Sequence, residues 1–214
     1  METLTNSQYT LNKELQSQIT PESAIELLRQ GNDRFLENKL INRDLHMQVK
    51  ATAKGQFPFA AVLGCIDSRV PSEAIFDLGI GDIFNVRIAG NFVNDDILGS
   101  LEFACKVAGA KVILVLGHTS CGAVKGAIGD VELGNLTGML EKIKPAVKIA
   151  KASNGKHDHD SPEFANEVAH MNVIVNINAI LERSTVLKEM HENGEIALAG
   201  AMYDVETGKV NFIQ

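Results

Sequence analysis

The sequence predicts an α/β domain: a mainly parallel central sheet with one antiparallel edge strand, flanked by helices, with an N-terminal helical arm. Three observations predict it. The runs "FAAVLGC", "IFNVRIAG", "KVILVLGH" and "EIALAGAMYD" are apolar and do not alternate with polar residues, as strands covered on both faces read. Stretches of helical patterning separate them, the signature of a layered α/β domain. The tail "YDVETGKVNFI" reads as a hairpin turning at Glu206–Thr207–Gly208, which supplies the antiparallel edge.

Taken in order, residues 1–19 are polar and read as a mobile arm. "TPESAIELLRQGNDRFLEN" opens with Thr20 as N-cap and Pro21 at the first helical position, and Ala24, Ile25, Leu28 and Phe35 suit an amphipathic helix. A second short helix is expected over residues 42–54. Helical patterns follow at 72–79, 95–108, 121–130 and 135–153. A longer one covers 162–192, with a break expected near Asn176–Asn178. "KASNGKHDHDSPEF" reads as a polar loop. The expected division is a helical arm over residues 1–40 and a single α/β domain over 41–214.

A chain of 214 residues, 45% hydrophobic and 22% charged, suits one globular domain with a sizeable core. Its formal charge of -7 argues against nucleic acid and against an anionic membrane surface. No apolar run approaches the ~20 residues of a membrane span. The N-terminus lacks an apolar signal core, so the sequence reads as cytoplasmic. In a reducing compartment the three cysteines, Cys65, Cys105 and Cys121, read as ligands, nucleophiles or buried thiols, not disulfides.

Open α/β sheets bind ligands beyond the carboxyl ends of their strands. Cys65 ends the first expected strand, and His118 and Cys121 follow the third. If those strands are neighbours, two thiolates and an imidazole converge, a donor set that suits Zn²⁺. Three protein ligands with an open fourth position is the catalytic arrangement. Asp67 lies two residues after Cys65, on the same side of an extended segment. It can reach the metal or hold a metal-bound water. Arg69 can pair with Asp67 and keep it ionised and oriented.

Each feature alone has a plainer reading. A strand-end cysteine is most often a small buried hydrophobe, and Asp67 with Arg69 can be a loop ion pair. Their joint placement at two strand ends favours a metal site. Cys105, mid-helix in "LEFACKVAGA", reads as a buried thiol, and His157 and His159 in "KHDHD" as part of a solvated loop. His46, His170 and His191 have no ligand partner at useful spacing.

"CIDSRVP", then "GDIFNVRIAGN", then "LGHTSCGAVKGA" resemble the β-class carbonic anhydrases, over a stretch from about Phe57 to Ile149. The resemblance implies one Zn²⁺ per chain on Cys65, His118 and Cys121, with Asp67 and Arg69 as a catalytic dyad. It implies reversible hydration of CO₂ to bicarbonate and a proton. It also implies a homodimer or homotetramer whose N-terminal helices reach over the partner and whose active sites lie at the subunit interface. Gln56, Phe84 and Gly122 match substrate-pocket positions; for Phe84, and for Phe103 where plant members have a tyrosine, core packing stays open. One subgroup has a second, inhibitory bicarbonate site with a tryptophan three residues before the first cysteine. Val62 stands there, so such regulation is not expected, although Arg87 matches that site's arginine.

The implied chemistry is coherent. Zinc lowers the pKa of a bound water towards neutrality, an effect established in a three-histidine carbonic anhydrase. Two thiolates donate more charge than two imidazoles, so here the acceptor Asp67 matters more. The residues leave open whether Asp67 itself takes the fourth position at low pH, as the resemblance implies for some members. The rival is a non-catalytic zinc-binding regulatory protein, which requires a fourth fixed ligand. A thiol redox enzyme is disfavoured, because there is no Cys-x-x-Cys motif.

Overall fold

The computed structural model describes residues 10–153 and 161–213. Five strands make one sheet in the order β2-β1-β3-β4-β5: β1 (Ala60–Gly64), β2 (Ile83–Arg87), β3 (Val112–His118), β4 (Ala197–Tyr203) and β5 (Val210–Ile213). The first four are parallel and β5 runs antiparallel to β4. β1 and β3 are buried along their whole length. Their sequences do not alternate because both faces are covered. Val62, Leu114 and Leu116 pack on one face, with Ala24 and Leu28 of α2 (Pro21–Leu36). Ala61, Leu63, Ile113 and Val115 pack on the other, with α5 (Asp95–Glu102), α9 (Pro162–Arg183) and α10 (Thr185–Glu192).

The N-terminal segment is bound more tightly to its own chain than expected. α1 (Lys13–Gln18) falls inside the stretch read as a mobile arm. Its Gln16 Nε2 donates to the carbonyls of Pro58 (2.7 Å) and Ala108 (2.9 Å). α2 begins with a capping box between Thr20 and Ser23. Its Asn32 is buried and donates to the carbonyls of Ile75 (3.2 Å) and Gly208 (3.0 Å), while accepting the Val210 N–H at 2.9 Å. A Cβ on Gly31 would sit 1.9 Å from the Phe76 carbonyl oxygen, so α2 lies directly on backbone. The apolar face of α2 therefore packs on its own sheet. Residues 1–40 are expected to pack on a partner; among the described residues, α1 and α2 make these contacts with their own chain.

A buried carboxylate fastens the next connection. Asp77, 3% exposed at its side chain, accepts from Arg34 Nε and Arg43 Nη1, each at 2.5 Å, and from the Ile41 N–H at 3.3 Å. It joins α2, the loop before α3 (Leu45–Thr52) and the end of α4 (Ser72–Ile75). Further along, α5 passes into a π-helical turn, Phe103–Val107, that buries Cys105. The helical stretch expected over 135–153 divides into α7 (Gly134–Leu140) and α8 (Lys144–Ser153). The break expected near Asn176–Asn178 is absent: α9 continues to Arg183, and Ser184 then caps α10. The final hairpin turns where expected, with Gly208 at φ +79° and its N–H donating to Asp204 O.

Candidate metal centre

Sheet register brings the two strand ends together. Gly64 of β1 lies opposite Leu116 of β3, so Cys65 leaves the sheet beside Gly117 and His118. Ser120, at φ +55°, turns the chain back, and Cys121 becomes the residue preceding α6 (Gly122–Ile128). The ligand atoms of Cys65, His118 and Cys121 all lie within 4.8 Å of one another, and the three residues are buried. The group can hold a metal ion.

The chemistry of the donors fits that reading. His118 Nδ1 lies 2.9 Å from the Thr119 carbonyl oxygen, which places the ring proton on Nδ1 and leaves Nε2 as a free lone pair. His118 Nε2 is buried and has no hydrogen-bond partner. A buried, unpartnered imidazole nitrogen costs stability unless something accepts its lone pair, and here it faces two sulfurs. The Cys121 thiol beside Cys65 holds the Cys65 thiol well below the usual thiol range against the opposing effect of burial. The backbone N–H groups of Gly90 and Asp67 act in the same direction. The Cys65 thiolate and burial push Cys121 upward. Thiolate ligation requires both sulfurs deprotonated, so metal binding here would release protons. Cys105 behaves as read from sequence: burial pushes its thiol up to about 12.

Beside this group Asp67 and Arg69 form a closed pair. Arg69 donates Nε to Asp67 Oδ1 (2.9 Å), Nη2 to Oδ2 (2.8 Å) and its backbone N–H to Oδ1 (3.0 Å). The Arg69 guanidinium holds the Asp67 carboxyl well below the usual carboxylate range. Asp67 Oδ2 lies 3.9 Å from His118 Nε2, at the edge of the metal group. Arg87, matched from sequence only to a regulatory position, does something else here: it donates to the carbonyls of Cys65 (2.9 Å) and Asp67 (2.6 Å) and braces their loop.

The pocket positions divide. Gly122 opens α6 next to Cys121, exposed, with nothing within 4 Å of where its Cβ would be. Gln56 is exposed ahead of β1, at the opposite end of that strand from Cys65. Phe84 lies opposite Ala61, away from the carboxyl ends, and packs edge-to-face on Phe103 at 6.1 Å. A single chain therefore does not bring Gln56 and Phe84 to the metal group, because β1 separates them along its length. His157 and His159 lie outside the described residues. Sequence reasoning missed Gly90, whose N–H donates to Cys65 Sγ at 3.4 Å, and Asn166, whose Oδ1 accepts the Ser120 N–H at 2.9 Å. Neither carries a spacing signal, since their partners lie 25 and 46 residues away in sequence.

The sequence profile of the carbonic anhydrase family matches residues 60–210. Carbonic anhydrase 2 of Mycobacterium tuberculosis is 35% identical over 195 residues, which is 88% of this chain and 91% of the relative. The β-carbonic anhydrase CafA of Aspergillus fumigatus superposes with a TM-score of 0.71 at 28% identity, covering 90% of each chain. A β-carbonic anhydrase of Sordaria macrospora, described as tetrameric, superposes with a TM-score of 0.70 at 26% identity, over 77% of this chain and 84% of its own. The chain belongs to the carbonic anhydrase family, in its β class. It is an enzyme of that kind, a lyase. No helix among the described residues is long and apolar enough to cross a membrane.

Proposed function

We propose that the chain catalyses the reversible hydration of CO₂ to bicarbonate and a proton, with one Zn²⁺ per chain on Cys65, His118 and Cys121. The observation that carries this is the buried S₂N group with the Asp67–Arg69 pair at its edge. Zinc bound there supplies a Lewis acid that acidifies water. Asp67 presents Oδ2 as a fixed acceptor for the proton of the attacking water, which turns the water's lone pair towards CO₂. Arg69 keeps that carboxylate ionised and stationary through three hydrogen bonds. Gly122, lacking a side chain, leaves the mouth of the site clear for a small uncharged substrate.

The non-catalytic alternative needs a fourth fixed ligand. Among the described residues the group has three members, and the nearby carboxylate of Asp67 is engaged by Arg69. That favours an open position and hence catalysis. A homodimer or homotetramer supplies Gln56 and Phe84 to the pocket from a second copy, in keeping with the exposed Phe103 and Val107 after α5 and the unpaired outer edge of β2. Three free thiols suit a reducing, cytoplasmic setting. Elemental analysis tests the ligand set. The parent protein should carry one zinc per chain and Cys121→Ala far less; full occupancy in that variant refutes the assignment.

A further inference from the structure

We infer that α9 is a positioning helix for the metal group, and that Asn172 orients the Cys65 sulfur through the backbone of Gly90; this rests on the metal site proposed above. Asn172 is fully buried. Its Nδ2 donates to the Gly90 carbonyl at 2.9 Å, and the N–H of the same Gly90 donates to Cys65 Sγ at 3.4 Å. One glycine thus carries the connection from the middle of α9 to the sulfur. Asn176, one turn on, donates to Asn172 Oδ1 (3.1 Å) and accepts the Val93 N–H (2.8 Å). The loop from Gly90 to Val93 is therefore clamped to α9 at both ends. Asn166, nearer the start of the helix, accepts the Ser120 N–H and fixes the turn between His118 and Cys121.

The loop needs such a clamp. Gly90 and Asn91 are both left-handed, at φ +81° and +39°, and a non-glycine residue there persists only when its surroundings hold it. A Cβ on Gly90 would meet Ile143 Cδ1 at 2.4 Å, so the loop also has no room to relax by substitution. Buried amides are costly unless satisfied, and a helix serving only to cover the sheet would place leucine at position 172. An N–H donor to a ligating thiolate stabilises its charge, tempers its donation to the metal and fixes its direction. Loss of such outer partners typically costs about 10–100-fold in metal affinity or activity.

The test compares the parent with Asn172→Leu, and with Leu187→Ala as a control in which a fully buried side chain of the same core face is truncated. Each protein is loaded with cobalt(II) to read the thiolate-to-metal charge-transfer absorption, and with zinc to time metal loss to excess chelator. Both readouts are taken at temperatures equally far below each protein's Tm. Asn172→Leu should shift the absorption band and speed zinc loss by roughly tenfold or more. Leu187→Ala should lower Tm and move neither. If Asn172→Leu yields no folded protein, Asn172→Ser, too short to reach Gly90, takes its place. A parent without any thiolate–cobalt band sinks the metal reading and this inference with it. A parent band and release rate that the Asn172 variant leaves unchanged overturn this inference alone, as does an equal effect from Leu187→Ala.

Discussion

Asp67→Asn keeps the size of the side chain and changes one atom. In the parent, Oδ1 accepts the Arg69 backbone N–H and Nε, and Oδ2 accepts Nη2 at 2.8 Å. If the asparagine oxygen takes the Oδ1 place, its NH₂ group points at Nη2 and sets donor against donor. The atom 3.9 Å from His118 Nε2, on the metal side, becomes a donor too and can no longer accept a proton. Removing one preorganised partner from a reaction centre commonly costs about 10²–10³-fold in kcat, which is about 2.7–4.1 kcal/mol in the barrier. Zinc occupancy should stay intact, since no ligand is touched. Arg69→Ala should lower the rate comparably, and the double variant should lose little more, because groups acting as one unit fail together. The assay is stopped-flow CO₂ hydration per bound zinc, from neutral to mildly alkaline pH. Near-parent turnover in Asp67→Asn throughout that range refutes the dyad and leaves a salt bridge. The stability side has a definite sign. Folding lowers the Asp67 pKa, so the pair adds stability above the unfolded carboxylate value of about 3.9. That contribution fades as pH falls through the folded value. Any Tm advantage of the parent over Asp67→Asn near neutrality should therefore shrink on acidification.

Asp77→Ala leaves Arg34 and Arg43 without their shared carboxylate. It should cost about 3–5 kcal/mol, or roughly 6–20 °C in Tm for a chain of this size; a loss under 1 kcal/mol in thermal or urea unfolding counts against the buried-pair reading. Gly31→Ala puts a methyl against the Phe76 carbonyl and should destabilise by about 1–3 kcal/mol; an unchanged Tm means α2 does not sit on its own subunit as described. Sedimentation at micromolar concentration should find the full chain as a dimer or larger, and a monomer there removes the proposed second copy from the pocket.

The clustering of Cys65, His118 and Cys121 was legible because it depends on strand ends. Cys65, His118 and Cys121 needed only that two apolar runs be adjacent, and the β1–β3 register supplies that. The Asp67–Arg69 ion pair was legible because both residues are local to Cys65. Residues acting across the fold were not. Asn176 and Asn178 suggest a broken helix, since asparagine competes with helical backbone for hydrogen bonds. The Asn176 side chain instead accepts from the Val93 N–H and donates to Asn172, which itself bonds to Gly90, and the helix continues. Likewise α2 was recognised as amphipathic, but amphipathicity does not say whose sheet it covers. Asn32 and Gly31 tie α2 to its own chain through contacts with Gly208, Val210 and Phe76 that lie far away in sequence.

The most direct test of the central claim is CO₂ hydration followed while zinc is stripped from the parent protein and then restored. The rate should be proportional to the zinc bound, falling to the uncatalysed level in the stripped protein and recovering at one zinc per chain. Hydration that persists after complete removal, or a fully metallated protein that never exceeds the uncatalysed rate, contradicts it.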